Sequence, residues 1–294
     1  MNSVLSSKLK LIASMVTFGT IGIFVEYIPL PSGAIAFFRG AVGTLCLLIF
    51  ALISKTHISA KNIRSNLLLL LISGGAIGFN WIFLFEAYRH TTVATATLCY
   101  YMAPVFVMLL SPLVLKEKLT VKKLLCVIAS ITGMFFVSGV IGESIPSYDQ
   151  LLGIVFGICA AMLYATVIML NKKLGEVSAH NKTVVQLGSA AIVVLPYTLL
   201  AENISAESVD AVGIILLIVV GVIHTGIAYL LYFGSMKNLS AQTVAIFSYI
   251  DPVIAIVLSA IVLRQPMTAY SVIGAVLILS AALISELPKK NKNL

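Results

Sequence analysis

Pro104 stands in Tyr101-Met102-Ala103-Pro104-Val105, and Pro252 stands in Tyr249-Ile250-Asp251-Pro252-Val253. The offset between these two prolines, held without a gap from Gly78 to Thr120, also superimposes Gly78 on Gly226, Phe85 on Phe233, Thr95 on Thr243, Leu110 on Leu258, Ser111 on Ser259 and Thr120 on Thr268. A chain that repeats itself folds its second half on the plan of its first. Where the repeated unit is made of membrane helices, the pattern points to a transporter with its site between the two copies.

The apolar content says that the unit is a membrane unit. Of 294 residues 60% are hydrophobic and only 10% charged, with a mean hydropathy of +1.08. A water-soluble domain of this length has no place to hide that much apolar surface. About 20 apolar residues span a bilayer as a helix, and the chain offers ten such stretches: 11–28, 32–54, 67–87, 92–115, 121–140, 150–171, 183–201, 211–233, 241–263 and 269–287. Outer-membrane strands alternate apolar with polar residues, whereas the run from Leu67 to Ile72 is continuously apolar. The predicted fold class is an all-α polytopic membrane protein.

Charge placement tests the ten spans. With the N-terminus cytoplasmic and sides alternating, sixteen of the 19 basic residues face the cytoplasm, among them Lys8, Lys61, Lys118, Lys123, Lys172, Lys182, Lys237 and Lys290. Only Arg89 and Arg264 fall outside, and Arg39 lies within a span. That asymmetry follows the positive-inside rule. It predicts a multi-pass protein of the cell (cytoplasmic) membrane with both termini and the 172–182 loop cytoplasmic and 139–150 outside. The first span is read as a retained helix, since no small-residue cleavage site follows it.

The net charge of +8 is thus a set of topology signals in short loops, and nucleic acid is not an expected partner. Cys46, Cys99, Cys126 and Cys159 lie within spans and form no C-x-x-C pair, so neither a metal site nor a disulfide framework is expected. Walker, nucleophile-elbow and H-E-x-x-H motifs are absent, and no cofactor is expected. Transport would run on a proton or other ion gradient, or on the gradient of the substrate itself.

Ten spans divided by the repeat give five per copy. An odd number reverses direction, so the second copy is expected upside down, related to the first by a two-fold axis in the membrane plane. The copies are placed at 1–140 and 141–294, as two inverted five-helix repeats. Glu117 and Gln265 then fall at matching positions on opposite sides.

Phe37-Phe38-Arg39-Gly40, Ala87-Tyr88-Arg89, Tyr101-Met102-Ala103-Pro104 and Leu115-Lys116-Glu117-Lys118-Leu119-Thr120, echoed by Ile250-Asp251-Pro252 and Leu263 through Thr268, carry a resemblance over essentially the whole chain. It resembles the ten-helix branch of the drug/metabolite transporter superfamily, whose five-helix repeat is the EamA domain. The resemblance implies an EamA-like repeat in each half. It is specific for fold and says little of substrate, since such proteins resemble exporters of amino acids and other metabolites and some importers. Gln265-Pro266 departs from the pattern, which has Glu there, so that loop is not expected to hold a functional charge.

Ionisable groups at membrane depth are costly and point to function. Arg39 lies about 12 Å into span two, at about 1.5 Å per residue. Asp251 and His224 lie near the middle of spans nine and eight. Arg39 suits a two-pronged grip on a carboxylate or phosphate; packing, or pairing with Asp251, is the alternative. Asp251 precedes Pro252, which leaves a helix carbonyl free beside the carboxylate and suits a cation or proton. For His224 a hydrogen bond between helices competes with a proton relay. Asn80, Trp81, Tyr101 and Tyr249 complete the expected substrate site, with Tyr100 and Tyr229 as further aromatic candidates. Gly40, Gly43, Gly153 and Gly157 read as close helix contacts.

These residues predict a secondary active transporter, exporting small polar metabolites such as amino acids, by rocking of the two five-helix halves. An organic cation or drug is the alternative substrate. A non-transporting structural or regulatory membrane subunit and an intramembrane enzyme are the alternative classes, the latter disfavoured by the missing nucleophile-and-base motif. The expected partners are a small-molecule substrate, the lipid bilayer and a second copy of the chain in a homodimer.

Overall fold

The structure, a computed structural model, describes residues 3–55, 60–91, 93–138, 147–174, 177–202, 210–262 and 269–286. Every regular element among them is helical. In order they are α1 (Ser3–Glu26), α2 (Ser32–Ile53), α3 (Ala60–Ser65), α4 (Leu67–His90), α5 (Val93–Tyr100), α6 (Ala103–Leu115), α7 (Val121–Ser138), α8 (Tyr148–Lys173) and α9 (Ala179–Ala201). Then come α10 (Ala211–Val219), a π-helical segment (Val220–Ile227), α11 (Ala228–Ser235), α12 (Ala241–Phe247), α13 (Ile250–Val262) and α14 (Ala269–Glu286). The Gly139–Pro146 part of the expected external link, and Leu263 through Thr268 with Gln265, lie outside the described residues.

Eight helical runs among the described residues are long and apolar enough to cross a membrane. The two further expected spans appear as α7 and α14, of 18 residues each. α7 opens on Lys122 and Lys123, and the apolar part of α14 runs only from Val272 to Ser285. Leu52 at 78% exposure, Leu113 at 80% and Leu200 at 88% face outward, an apolar surface that lipid rather than water covers.

Two expected single spans are broken. The stretch 92–115 divides at Tyr101-Met102 into α5 and α6, and 241–263 divides at Ser248-Tyr249 into α12 and α13. The cause is shared: Pro104 and Pro252 have no N–H to give to the preceding turn. The breaks occupy equivalent places in the two copies. The span at 211–233 stays continuous but widens into the π segment, where Thr225 Oγ1 donates to the Val220 carbonyl at 3.0 Å. Glycine on both sides makes room there. A side chain at Gly43 would stand 3.0 Å from the Gly221 carbonyl oxygen and 3.1 Å from the Gly226 nitrogen.

Packing between copies is reciprocal. α1 packs on α11 and α13, and its counterpart α8 packs on α4 and α6. α2 packs on the π segment, and its counterpart α9 packs on α4. α2 meets α9, and α7 meets α14, each a helix against its own equivalent. Gly153 lies against Thr91 and Gly157 against Cys99, the close contacts the sequence suggested. The halves 1–140 and 141–294 are interlocked, since α1 and α2 contact the second copy far more than each other.

Contacts at the helix ends show the alternation of direction. Asn238 Nδ2 meets Ser7 Oγ at 3.0 Å, and Glu117 accepts from the Ala241 N–H at 2.8 Å at the lysine-rich end. At the opposite end Glu202 accepts from the N–H groups of Gly33 and Ala34, both at 2.9 Å, and His90 Nδ1 meets Asp149 Oδ1 at 2.7 Å.

Candidate functional site

Arg39 is set by the seating of α2. The Glu202 carboxylate holds two of the free N–H groups at its start, where an anion is favoured. Gly40 lets it approach Ala191 of α9, and Gly43 lets it approach the π segment. The Arg39 guanidinium thereby lies over the Trp81 ring, 4.6 Å from its centroid, and its Nε is buried without a hydrogen-bond partner. Tyr229 meets the same indole edge-on at 6.4 Å between centroids and lies within electrostatic reach of Arg39. Trp81 and Tyr229 are equivalent positions of the two copies.

Asp251 sits in the first turn of α13, directly after the break, with Tyr101 within electrostatic reach of its carboxylate. Among the described residues no ion pair joins Asp251 to Arg39. Pairing of the two is therefore not what keeps them in the bundle.

The space around them is aromatic. Tyr100 lies 5.8 Å from Tyr164 and 5.7 Å from Tyr101 between ring centroids, and the Tyr164 hydroxyl meets those of Tyr232 at 2.5 Å and Ser248 at 3.3 Å. Tyr229 packs edge-on against Phe18 at 5.2 Å. Tyr88 lies within electrostatic reach of Asp251. Arg39, Tyr88, Tyr100, Tyr101, Tyr164, Tyr229 and Asp251 all keep partial exposure. They come from α2, α4, α8, α11 and the two breaks.

Of the expected site residues, Arg39, Trp81, Tyr101 and Asp251 come together here. The other three each place a polar atom in a contact between helices. Asn80, 3% exposed, donates to the Ala160 carbonyl at 2.6 Å; Tyr249, fully buried, donates to the Tyr101 carbonyl at 3.0 Å. His224, 2% exposed, meets Thr20 Oγ1 through Nε2 at 2.8 Å, with its ring against Phe24. Tyr88, Tyr164 and Tyr232 were not singled out in the sequence. The spacing of Tyr229, Tyr232 and Phe233 on one helical face was the available signal for Tyr232.

Beyond this site the lysine-rich end is closed around the α11–α12 turn. Lys172 Nζ donates to the carbonyls of Met236 at 2.9 Å and Leu239 at 2.6 Å, and Lys123 Nζ to Ser240 Oγ at 3.1 Å. Among the described residues no group of His, Cys, Asp and Glu side chains is placed to hold a metal ion.

The EamA-like transporter family matches residues 6–139 and again 151–286. The chain belongs to the EamA-like transporter family. It is 32% identical to an uncharacterized transporter, YxxF, of Bacillus subtilis (strain 168), over 97% of this chain and 90% of that one. An uncharacterized transporter of Archaeoglobus fulgidus is 28% identical over 94% of each chain, and protein PecM of Dickeya dadantii is 25% identical over 71% of this chain and 70% of its own. A crystal structure at 16% identity superimposes with a TM-score of 0.85 over 96% of both chains, which fixes the fold. The protein is a multi-pass membrane transporter and not an enzyme, and its partners are the bilayer and a small-molecule substrate.

Proposed function

We propose that this EamA transporter is a secondary carrier of small organic solutes bearing both a carboxylate and an ammonium group, amino acids first among them, with export as its direction. One observation carries the reading: Arg39 and Asp251 are both partly exposed charged groups within helical spans, and among the described residues no ion pair joins them. A zwitterion answers both charges at once. Residues 1–140 and 141–294 act in this reading as two inverted repeats, and all ten helical runs cross the membrane. Alternating access comes from movement between the two interlocked halves, with both termini cytoplasmic as the lysine distribution favours.

The aromatic wall supports a second reading, an organic cation or drug held by Asp251 and the tyrosine faces. Purified protein in proteoliposomes, assayed for uptake and efflux of amino acids beside amines lacking a carboxylate, separates the two. Movement of amines alone would sink the zwitterion reading.

A further inference from the structure

We propose that Lys172 and Glu117 form a latch that holds the α11–α12 turn shut across the lysine-rich end, and that this latch decides which end of the empty carrier stays closed. The inference uses only the transport function of the family and is independent of which solute is carried.

The turn is gripped by charge from three other elements. Lys172 Nζ, at the close of α8, donates to the Met236 carbonyl at 2.9 Å and the Leu239 carbonyl at 2.6 Å. From the α6–α7 connection, the Glu117 carboxylate accepts from the Ala241 N–H at 2.8 Å and the Gln242 N–H at 3.4 Å. Lys123 Nζ of α7 donates to Ser240 Oγ at 3.1 Å. The signs match the backbone: a cation meets carbonyls where α11 ends, and a carboxylate meets N–H groups where α12 begins. Glu117 is also aimed. Lys116 ends α6 in the left-handed region, at φ 55°, a costly conformation for a residue with a side chain. The Glu117 N–H then turns back to the Ser111 carbonyl at 3.3 Å.

The counterpart turn in the first copy is built differently. The repeat offset sets Tyr88 against Met236 and Thr91 against Leu239. Met236 and Leu239 are 1% and 5% exposed and belong to the main core, whereas Tyr88 and Thr91 keep partial exposure. Gln265 stands at the position equivalent to Glu117, and α1, the counterpart of α8, has no basic residue in its last turn. An inverted repeat gives its two closed forms similar energies unless side chains break the symmetry. The charges at the α11–α12 turn break it in favour of closure at the lysine-rich end. Opening that end takes Lys172 and Glu117 from their backbone partners, a step that hydrogen bonds to charged groups resist.

The test measures alkylation rates of single cysteines in purified full-length protein in detergent, with a small water-soluble methanethiosulfonate. Three reporters are used, each on an otherwise cysteine-free background. Ser235→Cys is fully buried directly before the turn, Thr91→Cys lies partly exposed at the opposite end, and the native Cys126, 5% exposed, sits in α7. Lys172→Met keeps the length of the side chain without its charge, and Glu117→Gln keeps the shape of the carboxylate. Each should raise the Ser235→Cys rate at least about tenfold, the scale of one hydrogen bond to a charged group. The double variant should raise it further and slow Thr91→Cys, because opening one end closes the other, while Cys126 keeps its rate. Faster reaction at Ser235→Cys with an unchanged Thr91→Cys rate in the double variant would make the contacts a mere fastening of the turn and overturn the proposal. A rise at all three reporters together would show general loosening, and unchanged rates would show no latch; either overturns it.

Discussion

The Tyr249 hydroxyl donates to the main-chain carbonyl of Tyr101 at 3.0 Å, and these residues hold the same place in the two copies. The bond ties the break between α5 and α6 to the break between α12 and α13, while the two rings lie 6.3 Å apart. Tyr249→Phe should keep the ring contact, lose the bond and lower stability by about 1 kcal/mol. Tyr101→Phe keeps the bond, because the acceptor is backbone. Thermal unfolding in detergent should therefore separate the variants, with Tyr249→Phe the less stable; equal melting would count against this division of roles.

Asp251→Asn should fold and express like wild type, because the amide still fits beside Tyr101 at the start of α13. It should abolish concentrative movement of an amino acid and leave exchange between the two sides. Proteoliposome assays with a solute gradient, and then with solute on both sides, read the two activities. Concentrative transport at the wild-type level would show the carboxylate to be incidental.

Arg39→Lys should reduce transport at least tenfold, because an ammonium neither spans two carboxylate oxygens nor lies flat on Trp81. Since no ion pair joins Arg39 to Asp251 among the described residues, combining Arg39→Ala with Asp251→Ala should add the two single effects on stability. Melting temperatures of the singles and the double form the cycle. A double variant more stable than either single would restore a direct coupling that the geometry lacks.

Gly43→Val should push α2 away from the π segment, since even its Cβ would sit 3.0 Å from the Gly221 carbonyl oxygen. A loss of about 1–3 kcal/mol is the scale for such overpacking. Arg39 should move with α2, so Trp81 emission should shift together with melting. Gly22→Ala is the control. A side chain there meets nothing within 4 Å, and helix propensity makes the change neutral or favourable by up to about 1 kcal/mol.

Single cysteines at Lys173 and Tyr148, on an otherwise cysteine-free background, lie at opposite ends of α8. Both positions are exposed. In intact cells a membrane-impermeant thiol reagent should label the residue-148 cysteine and spare the residue-173 cysteine. Labelling of the latter alone would turn the molecule over.

Much of the fold was legible in the sequence, for identifiable reasons. Length and apolarity fix where a helix can lie in a bilayer, and Pro104 and Pro252 announced a defect in two of those helices. The defects became full breaks because each proline falls in the middle of its span, where losing one N–H divides the helix. The interlocking was not legible. A repeat shows that two units are alike, but the unit on which α1 packs is decided by small-residue contacts such as Gly19 against the Asp251 carbonyl. At the site, Arg39 and Asp251 stood out because charge in a span is rare. Tyr88 and Tyr164 did not, since helices apolar on every side do not reveal which face looks inward. Asn80, Tyr249 and His224 drew attention for their polarity, which the fold uses to join helices.

The proposed solute site takes its positive element from α2, its negative element from the start of α13, and its flat aromatic surface from α8 and α11. Three unlike elements arriving from three directions define a handed surface. On the proposed reading a pair of mirror-image solutes cannot both match it, so L- and D-enantiomers of one amino acid should move at different rates even though either carries the same charges.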